Sequence, residues 1–346
     1  MKRSRADETD VESTESPSRP VSVKRWKIPK PEYAIMVAVS SRALFDMREN
    51  TKIFNERGVQ AYVQHMIINE NKPIPKGTAF PFVLALQNVN LKLLELDPEE
   101  KCLFDVVLMT NNSAQVGVAL INSINYYGLN IERTCFTGGS SDAVAGYLEA
   151  YNADLYLSTD ENEVADAIKA GIGAATIYTG IEGIQCPDVN QLRVAFDGDA
   201  TLFDDEAEII AKKYGLQKFF ENEANKAHLP LGCGPIKRFA LLLGNIKKKF
   251  ANAKDCPIRT YLITARGAST SGLRALLTLR DWGLDIDEAL FLSGAPKGPL
   301  LEKIKPHLFF DDSQSNVDSG LDYGVYTSAH VPYGISQVIP DGGTQQ

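Results

Sequence analysis

Val194-Ala195-Phe196-Asp197-Gly198-Asp199-Ala200-Thr201 runs from an apolar segment into two carboxylates, and it decides how the rest of the chain reads. The apolar segment has the character of a buried strand. Carboxylates at the end of such a strand are costly unless a cation or a reaction uses them. A calcium loop would need a third acidic or amide ligand and then a glycine, and Thr201-Leu202 supplies neither. By themselves the aspartates could also belong to a tight turn.

Three more apolar runs end in polar groups. Thr260-Tyr261-Leu262-Ile263 leads to Thr264, with a helical pattern from Ser271 to Trp282 behind it. Ala289-Leu290-Phe291-Leu292 precedes Gly294-Ala295-Pro296-Lys297-Gly298, and His307-Leu308-Phe309-Phe310 ends in Asp311-Asp312. Singly, Thr264 reads as a helix cap and Lys297 as a solvated loop lysine. Asp311 and Asp312 repel each other, and a divalent cation would relieve that repulsion. Strands alternating with helical stretches predict an α/β fold with a parallel, Rossmann-like sheet, whose carboxyl-end loops share one crevice.

In that order, D-x-D-x-T, Thr, Lys and Asp-Asp resemble the four motifs of the haloacid dehalogenase superfamily, mostly magnesium-dependent phosphotransferases. The resemblance implies that Asp197 attacks phosphorus and becomes an aspartyl phosphate. Asp199 then protonates the leaving oxygen and later activates water. Lys297 balances negative charge, and Thr264 holds a phosphoryl oxygen. Mg2+ falls to Asp197, the backbone carbonyl of Asp199, and Asp311, with Asp312 as a further ligand or a supporting group.

The chain also repeats itself. Val37-Ala38-Val39-Ser40-Ser41-Arg42-Ala43-Leu44-Phe45-Asp46 parallels the segment from Val194 to Asp204, and Val107-Leu108-Met109-Thr110 parallels Leu262-Ile263-Thr264. Gly58 and Gly215 lie 157 residues apart, as do Asn88 and Asn245, while Thr110 and Thr264 lie 154 apart. Two tandem copies of one fold are expected. Ser40 and Arg42 stand at the places of Asp197 and Asp199, Ser141 or a neighbour at that of Lys297, and Ser158-Thr159 at that of Asp311-Asp312. The first copy, residues 31 to 180, is therefore expected to be degenerate and non-catalytic. Residues 181 to 190 read as a linker, and 191 to 338 as the catalytic copy. Within it, a helical insertion at about 205 to 255 is expected to form a cap that excludes water from the site.

With 346 residues the chain can build two ordinary domains, and its net charge of −8 argues against general nucleic-acid binding. Cys102, Cys135, Cys186, Cys233 and Cys256 show no paired spacing, as expected of reduced thiols in a cytoplasmic protein. Residues 1 to 30 and 339 to 346 read as polar tails, the first expected to be disordered. Its basic pieces at Lys2-Arg3-Ser4-Arg5 and Lys24-Arg25-Trp26-Lys27 read as solvated charge or a nuclear address. No run is long and apolar enough to span a membrane.

Longer strings narrow the resemblance. Ala38 to Phe45, Thr110 to Val118, Val194 to Leu202 and Gly294 to Ile304 look like the cytosolic 5′-nucleotidase type I family, over roughly residues 31 to 338. That family implies hydrolysis of nucleoside 5′-monophosphates, chiefly AMP, with magnesium and with ADP as activator. A homo-oligomer is also expected. Arg266 is a candidate substrate contact because its loop should lie at the crevice. Arg42, Asn111, Asn112, Phe80 and Phe82 are further candidates, provided that the two halves face each other. The alternatives are a phosphatase of another small monoester, or a nucleotide sensor that has lost turnover.

Overall fold

A computed structural model describes residues 33–139, 144–178, 186–251 and 255–335. The proposed tails, Ser141 and positions 181–185 of the linker lie outside the described residues. The apolar runs form β1 (Ile35–Ser40), β2 (Phe104–Thr110), β3 (Arg133–Phe136), β4 (Leu155–Ser158) and β5 (Ala174–Ile177). They continue as β6 (Leu192–Phe196), β7 (Ile258–Thr264), β8 (Glu288–Phe291), β9 (Leu308–Asp311) and β10 (Ser328–His330). Together they make one sheet in the order β3-β2-β1-β4-β5-β10-β9-β6-β7-β8. All neighbours are parallel except β5 and β10, which pair antiparallel.

Helices cover the faces of the sheet, so β1, β4, β5 and β9 are buried along their whole length. Phe196 and Phe310 stack at 5.7 Å between adjacent strands, and Phe239 meets Phe310 edge-on at 6.2 Å. Each such ring taken out of water is worth roughly 1.5–3 kcal/mol. Phe239 lies on the helix Lys237–Lys249, which also buries Leu243 and Ile246. This part of the stretch expected to form a cap is thus a layer of the core. The helices Glu206–Tyr214 and Leu216–Asn225 precede it. They are separated by Gly215 at φ 85°, as the helical stretch Arg48–Ile68 is kinked at Gly58 with φ 81°. Left-handed backbone at both places suits glycine, which has no Cβ to clash.

The antiparallel junction corrects one expectation. Strands β1 to β5 run opposite to β6 to β10, so the carboxyl ends of the two halves open at opposite edges of the sheet. Arg42 and the pair Asn111-Asn112 follow β1 and β2, and they cannot share a crevice with residues that follow β6, β7 and β9. Phe80 and Phe82 are core residues, 3% and 0% exposed, and Phe80 packs edge-on against Tyr127. Among the described residues, all five cysteines are free, and no helix is long and apolar enough to cross a membrane.

Candidate active site

Strands β6 and β9 are neighbours, and the amide of Asp197 donates to the carbonyl of Phe310 at 2.8 Å. That register sets Asp197 beside Asp311. Lys297, from the loop after β8, reaches between them, its Nζ 2.6 Å from Asp197 Oδ1 and 2.6 Å from Asp311 Oδ2. Asp311 Oδ1 accepts from the Ser313 amide and from Asn316 Nδ2, both at 3.0 Å. Asp197, Asp311 and Asp312 each offer a carboxylate oxygen within 4.8 Å of the others. Asp312 Oδ2 is buried without a hydrogen-bond partner among the described residues.

A divalent cation fits this arrangement. Three ionised carboxylates against one ammonium leave two negative charges, and an orphaned buried carboxylate oxygen is costly without a ligand. Burial pushes the Asp197 carboxyl up to about 7 against the pull of Lys297, while Asp311 and Asp199 add like charge. Burial also holds Asp312 well above the usual carboxylate range, with Glu208, Asp197 and Asp311 as neighbouring charges. Burial by itself would lower Lys297, but Asp197 and Asp311 keep its ammonium above the usual lysine range. Pocketed acids and bases with displaced titration are characteristic of functional sites.

The turn after β6 carries the second aspartate. Asp199 has extended backbone, and Ala200 sits at φ 53°, a strained conformation for a residue with a side chain. The turn packs on Thr264, whose Oγ1 would lie 3.1 Å from a Cβ added at Gly198. The carboxylate of Asp199 is not among the three grouped within 4.8 Å, and it is gripped by Arg266, with Nε at 2.9 Å from Oδ2 and Nη2 at 2.7 Å from Oδ1. Any cation ligand from Asp199 would be its backbone carbonyl. Arg266 is itself only 3% exposed, so the structure gives this candidate substrate contact to Asp199 and to Glu223.

Three charged residues went unnoticed in the sequence. Glu208, on Glu206–Tyr214, has an Oε2 with no hydrogen-bond partner among the described residues and only Lys212 Nζ at 3.8 Å as counter-ion, and burial raises its carboxyl against the pull of Lys212, with Asp199 and Asp311 among the nearby like charges. Glu223 and Arg274 are buried beside Arg266. They lie on helices beyond the strand-end loops rather than in them, and on amphipathic helices such charges read as solvated faces.

At the other edge of the sheet, a cavity of about 410 Å³ opens at the ends of β1, β2 and β4, lined by Ser41, Arg42, Tyr62, Thr110, Asn112 and Glu163 among others. Asn111 donates to Glu163 and accepts from Thr137 Oγ1 at 2.8 Å. Asn112 donates to Thr110 Oγ1 at 2.9 Å and accepts from the Tyr62 hydroxyl at 2.6 Å. Both amides therefore knit the cavity floor at the first half's own crevice, away from the acid cluster.

A family model for 5′-nucleotidases matches residues 28–338, a span that contains both halves and every residue of the acid cluster. The chain belongs to the 5′-nucleotidase family. It is similar to human cytosolic 5′-nucleotidase 1B, with 52% identity over 293 residues, 84% of this chain and 48% of the relative. The chain thus spans about half the length of that relative. The resemblance to the type I cytosolic enzymes is borne out by both comparisons.

Proposed function

We propose that this chain is a 5′-nucleotidase that hydrolyses nucleoside 5′-monophosphates, chiefly AMP, through an aspartyl-phosphate intermediate. The observation that carries this reading is Lys297 held between Asp197 and Asp311, with a buried oxygen of Asp312 that has no hydrogen-bond partner among the described residues. Asp197 attacks phosphorus, and the bond from phosphorus to the 5′ oxygen breaks as Asp199 gives that oxygen a proton. Asp199, now ionised, takes a proton from water as the water attacks phosphorus. The bond from phosphorus to Asp197 then breaks, releasing phosphate and restoring both residues. Lys297 offsets charge on Asp197 and the phosphoryl group throughout, and Thr264 holds a phosphoryl oxygen. Mg2+, bound by Asp197, Asp311, Asp312 and the Asp199 carbonyl, would supply further neutralisation of the phosphoryl oxygens.

The human relative's printed name supports the nucleotidase activity, and the type I resemblance carries the preference for AMP. Phosphate release from a panel of nucleotides and sugar phosphates, with and without magnesium, tests both. The expected result is magnesium-dependent release that is fastest from AMP. Faster turnover of a sugar phosphate would favour a general phosphomonoesterase, and no turnover of any ester would favour a nucleotide sensor.

The same proposal includes two tandem haloacid dehalogenase-type copies, the first without chemistry. Its support is the strand order, in which the first strand of each half lies between the second and the fourth. Ser40, Arg42, Ser158 and Thr159 leave the first copy without an acid cluster, so it binds no catalytic cation. For ADP, the activator that the resemblance implies, the 410 Å³ cavity is a place apart from the reacting atoms. The helices from Glu206 to Asn225 serve as the cap. Cytoplasmic placement and homo-oligomeric assembly complete the proposal.

Magnesium binding should release protons. Asp197 titrates near 7 and Asp312 lies above the usual range, so at low pH both carboxyls hold protons that a cation must displace. Apparent affinity for magnesium should therefore strengthen as pH rises from about 6 to about 8, by up to roughly tenfold per unit for each proton displaced. Calorimetric titration of magnesium in two buffers with different heats of ionisation counts those protons. A flat affinity with no proton release would contradict the assignment of these carboxylates to the cation.

A further inference from the structure

We infer that Glu223 and Arg274 are positioning residues for the reaction, which hold Arg266 so that it presents Asp199 to the leaving group. This rests on the role proposed above for Asp199. Arg266 Nη1 reaches Glu223 Oε2 and also donates to the Ser271 carbonyl at 3.1 Å, while its other two nitrogens grip Asp199. Glu223 Oε1 in turn accepts from Arg274 Nη1 at 2.8 Å. Arg274 is fixed by the Leu229 carbonyl at 2.9 Å and by Glu206 at 3.2 Å. The side chains of Arg266, Glu223 and Arg274 are 1%, 0% and 4% exposed. A continuous buried chain of charge thus runs from the two helices Glu206–Tyr214 and Leu216–Asn225 to the strand-end turn that carries Asp199.

The first half of the molecule supplies an internal comparison. Met66 lies 157 residues before Glu223, and Leu120 lies 154 before Arg274. Both are buried in the apolar core, 2% and 0% exposed. Asn112 stands 154 residues before Arg266, and Arg42 stands 157 before Asp199. A half with the same strand order therefore closes on apolar side chains at two of these positions. Buried ion pairs bring little net stability over a well-packed apolar pair, so stability does not account for their presence. They occur in the half that has the acid cluster, and they end on Asp199.

The double variant Glu223→Met with Arg274→Leu installs the apolar pair of the first half without leaving a lone buried charge. It should fold, with a thermal midpoint near that of the parent. Its kcat for AMP should fall at least tenfold with KM within threefold. In the first turnover of p-nitrophenyl phosphate, whose leaving group needs no proton, the loss should stay under threefold. Glu223→Gln, nearly isosteric, should show the same split at smaller amplitude and serves if the double variant does not fold. Full kcat on AMP in a folded variant would overturn the inference, and so would equal losses on the two esters, which would mark a merely structural role. Asp199→Asn is measured alongside: if that variant keeps turnover, the role of Asp199 fails, whereas an inactive Asp199→Asn with an active double variant refutes the positioning role alone.

Discussion

Asp197→Asn should abolish steady-state turnover, by about four orders of magnitude or more, on the scale seen when the nucleophile of a covalent mechanism is removed. The amide is nearly isosteric with the carboxylate but a poor nucleophile. The fold should tolerate it, because Lys297 keeps Asp311 at 2.6 Å and the backbone bond to Phe310 does not involve the side chain. The measurement is phosphate release under saturating AMP and magnesium, paired with thermal unfolding. Rapid quench with radiolabelled substrate should trap phosphate on the parent protein and none on the variant. Activity above a trace in pure, folded Asp197→Asn would remove this residue from the chemistry.

Lys297→Met is expected to damage both stability and catalysis. Removing one partner of a buried ion pair leaves an uncompensated charge, at a cost of about 3–5 kcal/mol. Here the side chain is 4% exposed and two carboxylates lose their counter-ion at once. Without Lys297, Asp197 and Asp311 repel each other directly, and their protonation becomes the cheapest relief. The same loss should lower kcat by about 10²–10³, the usual effect of removing one preorganised charge-stabilising group. Magnesium should stabilise this variant more than it stabilises the parent, since a divalent cation replaces the missing positive charge. Denaturant unfolding with and without magnesium reads both effects. Equal magnesium stabilisation of parent and variant would show that the cation and Lys297 do not share the acid cluster.

The acid cluster was legible because it is local. Asp197, Thr264, Lys297 and Asp311 each come at or just after the end of an apolar run. A parallel sheet gathers the carboxyl ends of its strands at one edge, whatever the lengths of chain between them. Phe80 and Phe82 show the opposite case: aromatic residues beside a proline suit a ligand face as well as a core, and only their burial in the folded chain decides, with Phe80 packed against Tyr127. The helix Lys237–Lys249 lies in the stretch that reads as a helical insertion, but its place as a core layer is not legible there, because the pattern gives a buried face and not what buries it.

By itself, then, the sequence determined the strand ends, the acid cluster and the repeat at near-constant spacing. These depend on periodicity and on the chemistry of single positions. The tertiary structure decided the rest. β10 is three residues long, too short for any pattern, yet its antiparallel pairing with β5 turns one half of the sheet against the other and separates the two crevices. Glu223 meets Arg266 across 43 residues and Arg274 across 51, and no spacing rule links them. Strand direction and long-range charge pairing come from the path of the whole chain and the packing of its layers, which no single segment encodes.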